Sequence, residues 1–226
     1  MRRIAVTIVV AILAGQVALT GIAFTRADAP DQLTTPIHPS TEPDRPVDFE
    51  GVWLFASKVA ADWRSDAKLV RATMQIDWPL EPQPEQFAEL PQGGWILLAF
   101  LSKGELLTMR LDRGSGTIVE TRLLALVEAS RDAYAAAAID FEQASTTSGT
   151  AARAADAAYG SEYRAACPEM RFVSWLTVAR EPVTGQPVWR ITYETRAEEP
   201  QPSMMLDVDW QTGDILNVTN ATADCG

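Results

Sequence analysis

The sequence predicts an α+β fold. Three observations predict it: a helical apolar period over residues 49–63, strand-like segments after it that end in a turn of the form Asp-x-x-(Ser/Thr)-Gly, and a second occurrence of that turn 97 positions later. With 7 Trp, 7 Phe and 4 Tyr in 226 residues, the chain has the aromatic content for a hydrophobic core.

The N-terminus comes first. Met1-Arg2-Arg3 precedes an apolar run from Ile4 to Phe24. Arginines followed by such a run read as an export signal, and the run is long enough to span a bilayer as a helix. Residues 1–29 are therefore expected to be either a signal peptide that is removed or a membrane anchor that stays. No cysteine lies near the run, so a lipid-anchored cysteine is not expected. Residues 30–47 contain Pro30, Pro36, Pro39, Pro43 and Pro46 and read as an extended, disordered linker. Losing Arg2, Arg3, Arg26 and Asp28 with the leader would take the net charge from −11 to −13. That surface repels nucleic acid and anionic lipid alike. The usage of 16 Arg against 3 Lys, with many alanines, points to a GC-rich bacterial genome.

The first folded unit is placed at 48–125. Asp48 is the expected N-cap of a helix whose face carries Phe49, Val52, Trp53, Ala56, Val59, Ala60 and Trp63. A strand follows over Leu69–Ile76. Trp95 opens a second strand, and a hairpin closes the unit through Leu111-Asp112-Arg113-Gly114-Ser115-Gly116-Thr117-Ile118-Val119. The second unit is placed at 126–226, with a joining helix over Leu126–Ala138. Ile139-Asp140-Phe141-Glu142 echoes Val47-Asp48-Phe49-Glu50 and places the start of the second unit proper near residue 139. Ala151, Ala154, Ala155, Ala158 and Tyr159 form the expected buried face, and Gly160 is expected to end the helix in the left-handed C′ conformation. Strands over Met170–Ala179 and from Trp189 lead to Val208-Asp209-Trp210-Gln211-Thr212-Gly213-Asp214-Ile215-Leu216. In both hairpins the Asp (Asp112, Asp209) is expected to accept turn N–H groups. The Gly (Gly116, Gly213) supplies the positive φ of a type I turn with a G1 bulge. Helices laid on one face of an antiparallel sheet complete the expectation.

Trp189-Arg190-Ile191-Thr192-Tyr193 and the ending Leu206-Asp207-Val208-Asp209-x-x-Thr212-Gly213-Asp214-Ile215-Leu216 resemble the PepSY family, a secreted or membrane-tethered bacterial module with a cystatin-like helix-on-sheet shape. The resemblance covers residues 148–219 and, more faintly, 49–124. It implies two tandem non-catalytic modules that bind or inhibit peptidases or sense envelope partners, and it supplies no catalytic residues.

Catalytic chemistry has little to work with. The single His38 lies in the linker, so neither a nucleophile–base pair nor a His-based metal site is expected, and no cofactor is. Asp207, Asp209 and Asp214 do not match an EF-type calcium loop: counted from Asp207, the sixth position is Thr212 and the twelfth is Val218. Cys167 and Cys225 are the only thiols. In an exported chain they are expected to pair, closing a loop of about 58 residues at a gain on the order of 3–4 kcal/mol. The segment Trp78–Gly94 carries Pro79, Pro82, Pro84, Pro91 and Phe87. It is longer than the corresponding turn at 181–187 and is the expected interaction loop, pre-stiffened by proline.

The expectation is an exported, non-catalytic protein of the bacterial envelope that contacts a protein or peptide. It binds no nucleic acid, and it meets the membrane only through residues 4–24 if these are retained. A carboxylate-based hydrolase and a structural spacer without a ligand are the alternatives.

Overall fold

The structure is a computed structural model that describes residues 47–79, 90–168, 170–196 and 203–220. The leader, residues 30–46 of the linker and Cys225 lie outside the described residues; Val47, expected at the end of the linker, is instead buried in the core. Among the described residues no helix is long and apolar enough to cross a membrane.

The fold is α+β. One eight-stranded sheet runs in the order β4-β3-β2-β1-β5-β6-β7-β8, and every neighbouring pair is antiparallel. Its strands are β1 (Lys68–Asp77), β2 (Gly94–Ser102), β3 (Glu105–Asp112), β4 (Ile118–Ala125), β5 (Phe172–Arg180), β6 (Pro187–Thr195), β7 (Met204–Asp209) and β8 (Ile215–Thr219). The chain starts at the centre with β1 and steps outward by hairpins to β4. It then returns to the centre, pairs β5 with β1, and steps outward again to β8.

Helix α1 (Phe49–Trp63) packs on β1 and β2, while α3 (Ser148–Ala155) packs on β6 and β7. Between the helices and the sheet lies one core drawn from the whole chain. It includes Phe49, Val52, Met74, Ile96, Met109, Phe141, Ala151, Leu176, Trp189, Leu206 and Trp210. Its centre is aromatic: Trp189 and Trp210 stack in parallel with ring centroids 4.7 Å apart, and Phe141 stacks on Phe49, Trp189 and Trp210.

Each helix is tied to the far hairpin of its own half. Val47 N–H donates to Arg113 O at 2.9 Å, and Thr146 N–H donates to Trp210 O at 3.0 Å. The residue after each of these donors is the N-cap. Asp48 Oδ1 accepts from Gly51 N–H, and the Thr147 hydroxyl accepts from Thr150 N–H.

Four expectations are corrected. First, the Ile139–Glu142 echo of the α1 start is not matched in structure: the helix equivalent to α1 starts at Ser148, after Thr147. Phe141–Gln143 is a single 3₁₀ turn whose Phe141 is a core residue. Second, Gly160 does not end the helix; its φ is −65°. The helix continues through a π turn at Asp156–Gly160 into α4 (Ser161–Ala165), with Ser161 N–H bonding Asp156 O. Third, the extra residue in that turn rotates the buried face. Ala151 and Ala155 are buried as expected and Ala154 is half-buried, but Ala158 and Tyr159 are exposed, and Tyr163 and Arg164 are buried in their place. Fourth, the helices do not share one face. The joining helix α2 (Glu128–Ala136) sends Tyr134 to a separate cluster of Val70, Ala99 and Leu106. Ala99 and Leu106 alternate with core residues Leu98 and Leu107, so the pleat puts this cluster on the opposite side of the sheet.

Candidate interaction face

The same alternation lays out the face turned away from α1 and α3. The strand registers align Trp95 (β2), Gln75 (β1), Trp175 (β5), Thr192 (β6) and Met205 (β7) in one row across the sheet. β2 and β5 flank β1, and the two indoles lean toward each other across it. Their centroids are 5.4 Å apart at an interplanar angle of 69°. This edge-to-face contact explains why Gln75, on a face without α1 or α3, is only 7% exposed. Both tryptophans remain half-buried. Two polar groups of the row are oriented. Gln75 Nε2 donates to Asp77 Oδ1 at 2.7 Å, Arg196 bonds the same carboxylate, and Trp175 Nε1 donates to Glu194 Oε2 at 2.9 Å.

Ion pairs flank the row. Arg190 clasps Asp207 through Nε and Nη2 at 2.7 and 2.8 Å, and this bidentate bond raises the arginine's pKa. Toward the other edge, Glu120 holds Arg122 and faces Arg110. A central aromatic pair bounded by charged pairs has the layout of a protein-contact surface, apolar in the middle and polar at the rim.

The turn residues sit at the ends of this sheet. Asp112 Oδ1 accepts from Ser115 N–H at 2.8 Å, and Asp209 Oδ1 accepts from Gln211 and Thr212 N–H, each at 2.7 Å. Gly116 and Gly213 have φ of 67° and 79°. These amide bonds hold the Asp209 carboxyl below its usual range. Asp207 is committed to Arg190, and Asp209 Oδ1 to its turn. In the expected interaction loop Pro79 is exposed, while Pro82, Pro84 and Phe87 lie outside the described residues. Cys167 is fully buried in the core.

Two polar constellations escape the sequence. One surrounds the π turn. Arg164 pairs with Asp156, Tyr193 Oη donates to Asp156 Oδ1 at 3.2 Å, and the Arg164 guanidinium lies 3.7 Å over the Trp78 ring. Trp78 Nε1 in turn donates to Ser174 Oγ at 2.6 Å. Burial pushes the Tyr193 phenol well above its ordinary pKa. Asp156 and Arg164 are eight positions apart, and a regular helix would leave them about 80° out of line. The π turn absorbs that offset and brings them onto one buried face. Gly160 leaves room for the arrangement: a Cβ there would lie 2.3 Å from Tyr193 Oη. The other constellation is Arg113, 1% exposed. It donates to the carbonyls of Val47, Pro91 and Gly93. Loss of water lowers its pKa to about 10.

These features define the class of protein by fold alone: an α+β chain with one antiparallel eight-stranded sheet and helices of both halves over its core face. A protein from Clostridium difficile 630, solved by crystallography and described as a "putative lipoprotein", shares this fold, with a TM-score of 0.50 and 13% identity over 78% of this chain and 94% of its own. No protein-family profile matches the sequence. No curated protein matches it either.

Proposed function

We propose that this chain is an exported, non-catalytic protein of the bacterial envelope that binds a protein or peptide partner through the Trp95–Trp175 face. The observation that carries the reading is the pair of half-buried indoles meeting over Gln75, ringed by ion pairs. Side chains locked in place before contact lose little entropy on binding. The Arg-Arg leader supports export. The lipoprotein description of the Clostridium difficile protein is in keeping with an envelope location.

We also read the chain as two tandem PepSY-like modules, 48–125 and 126–226. Three correspondences support this reading. The strand order is symmetric about β1 and β5, the two Asp-x-x-(Ser/Thr)-Gly hairpins occupy equivalent places, and the two N-caps are tethered alike. The proline-rich loop belongs to the proposed contact surface on sequence grounds.

A photo-crosslinking side chain placed at Thr192, beside Trp175, tests the binding role in the native host. A control carries it at Leu54, on the outer side of α1. A discrete crosslinked product is expected from Thr192 alone, and it should be lost in Trp175→Ala. Equal products from both positions, or a product indifferent to Trp175→Ala, would sink the proposal.

A further inference from the structure

Strand β1 runs under the middle of the Trp95–Trp175 face, and its outward groups are not all satisfied. Ala72, Met74 and Ile76 face the core, so Arg71, Thr73 and Gln75 face the other way. Thr73 is 4% exposed, and its Oγ1 has no described hydrogen-bond partner. A buried hydroxyl is normally bonded. Trp175 Nε1 is held by Glu194, but Trp95 Nε1 donates to no described residue. Arg71 is exposed and forms no described ion pair. Guanidinium and indole N–H groups donate and never accept, and the Thr73 hydroxyl can donate as well. Together they suit a ligand rich in acceptors.

The charge here runs against that of the chain. On β1–β4, the outward row Arg71, Ala99, Thr108, Arg122 lies beside the row Thr73, Leu97, Arg110, Glu120. These two rows set three arginines against one carboxylate, Glu120, which is held by Arg122 and lies 3.9 Å from Arg110. Arg71 has no share in it. Glu128 and Asp132 of α2 form no described ion pair with Arg71. In a chain of net charge −11, this is a local excess of positive charge with one arginine uncommitted.

We propose that the partner of the Trp95–Trp175 face lays an acidic, extended segment along β1, with a carboxylate on Arg71 and apolar side chains against the indoles. This rests on that face being the contact surface. The planar fork of arginine suits a carboxylate, and a main-chain carbonyl of the segment takes the Trp95 N–H. Trp95 stands opposite Gln75, four positions along β1 from Arg71, so about four extended residues span both. Thr73 lies between them.

The probe is a labelled peptide alternating glutamate and leucine, with twins in which glutamine or lysine replaces glutamate. Fluorescence anisotropy follows binding to the full chain. The net charge of the whole chain favours the lysine twin, so a preference for glutamate reports the local arginines. The glutamate peptide should bind tightest and weaken with salt. Arg71→Gln should weaken it roughly fivefold, near the upper end for an ion pair open to water, while Lys58→Gln on the exposed side of α1 should leave it unchanged. No binding, equal binding of either twin, or undiminished binding to Arg71→Gln would overturn the proposal. So would a dimer of the free chain, seen by sedimentation, that Trp175→Ala dissociates, because a second copy then covers the face. The Thr192 crosslink separates this failure from that of the face itself: if it still depends on Trp175, the face stands and the acidic preference alone is lost.

Discussion

Glu50 and Ser148 join the two long helices end to end. The Glu50 carboxylate accepts from Ser148 N–H at 2.8 Å and from its hydroxyl at 2.6 Å, while Phe49 N–H donates back to Ser148 Oγ at 3.2 Å. One residue near the start of α1 thus satisfies the first amide of α3, and the reverse also holds. The acid sits where two positive helix ends converge.

That junction gives a pH dependence. Burial, the largest influence on Glu50, raises its carboxyl above the usual value; the bonds from Ser148 only partly offset this. The folded state therefore holds the Glu50 proton more tightly than the unfolded chain does. Its contribution is fully present below the unfolded pKa, about 4.3, and is lost as pH rises through the raised folded value. Urea unfolding of Glu50→Gln and of the native chain, measured from pH 4 to 7, should show the variant gaining relative stability as pH rises. A difference that is flat with pH, or of opposite slope, contradicts the assignment. Ser148→Ala should cost about 1–3 kcal/mol at every pH in that range, because it strips partners from buried groups.

The π turn makes a second prediction. Removing one partner of the buried Asp156–Arg164 pair leaves an unpaired charge, so Arg164→Ala should destabilise by about 3–5 kcal/mol. Gly160→Ala should cost about 1–3 kcal/mol by driving a methyl into Tyr193. Deleting Ala158, an exposed residue of the π turn, should be far milder than Arg164→Ala. It restores regular winding, in which the two partners become seven apart and still share a face. It should also be milder than deleting the exposed Leu54 from regular α1. Denaturation midpoints decide this; a Leu54 deletion better tolerated than the Ala158 deletion would refute the account.

The third prediction concerns Cys167 and Cys225, which we propose to be paired. Thiol titration of the denatured chain should find two more groups after reduction than before. Equal counts would rule the bond out. If the bond is present, its reduction should lower stability by on the order of 3–4 kcal/mol.

Much of the secondary structure was legible because it rests on local chemistry. The 49–63 helix follows from its apolar period and Asp48, and β1 and β5 follow from their apolar and aromatic runs. What was missed depends on partners distant in the chain. The Ile139–Glu142 echo misled because Phe141 has the right residue type for a helix start but serves as a wedge among Phe49, Trp189 and Trp210. Gly160 looked like a helix stop because the sequence does not show Tyr193 pressing on it. The Trp95–Trp175 pair is invisible without the β1–β5 register, since neither residue has a local reason to meet the other.

The central pairing of β1 with β5 has a consequence for how the chain is made. Thr73 and Thr177 are partners, separated by more than a hundred positions, yet they lie in the middle of the sheet. When the first half has left the ribosome, β1 has β2 on one side and nothing on the other. The strand that ends up most protected is therefore, until residue 180 emerges, an open apolar edge. Such distant pairing also makes closure of the sheet slow relative to its hairpins. The nascent protein passes through an interval in which its centre is its most vulnerable side, and a chaperone that masked β1 during that interval would protect the whole molecule.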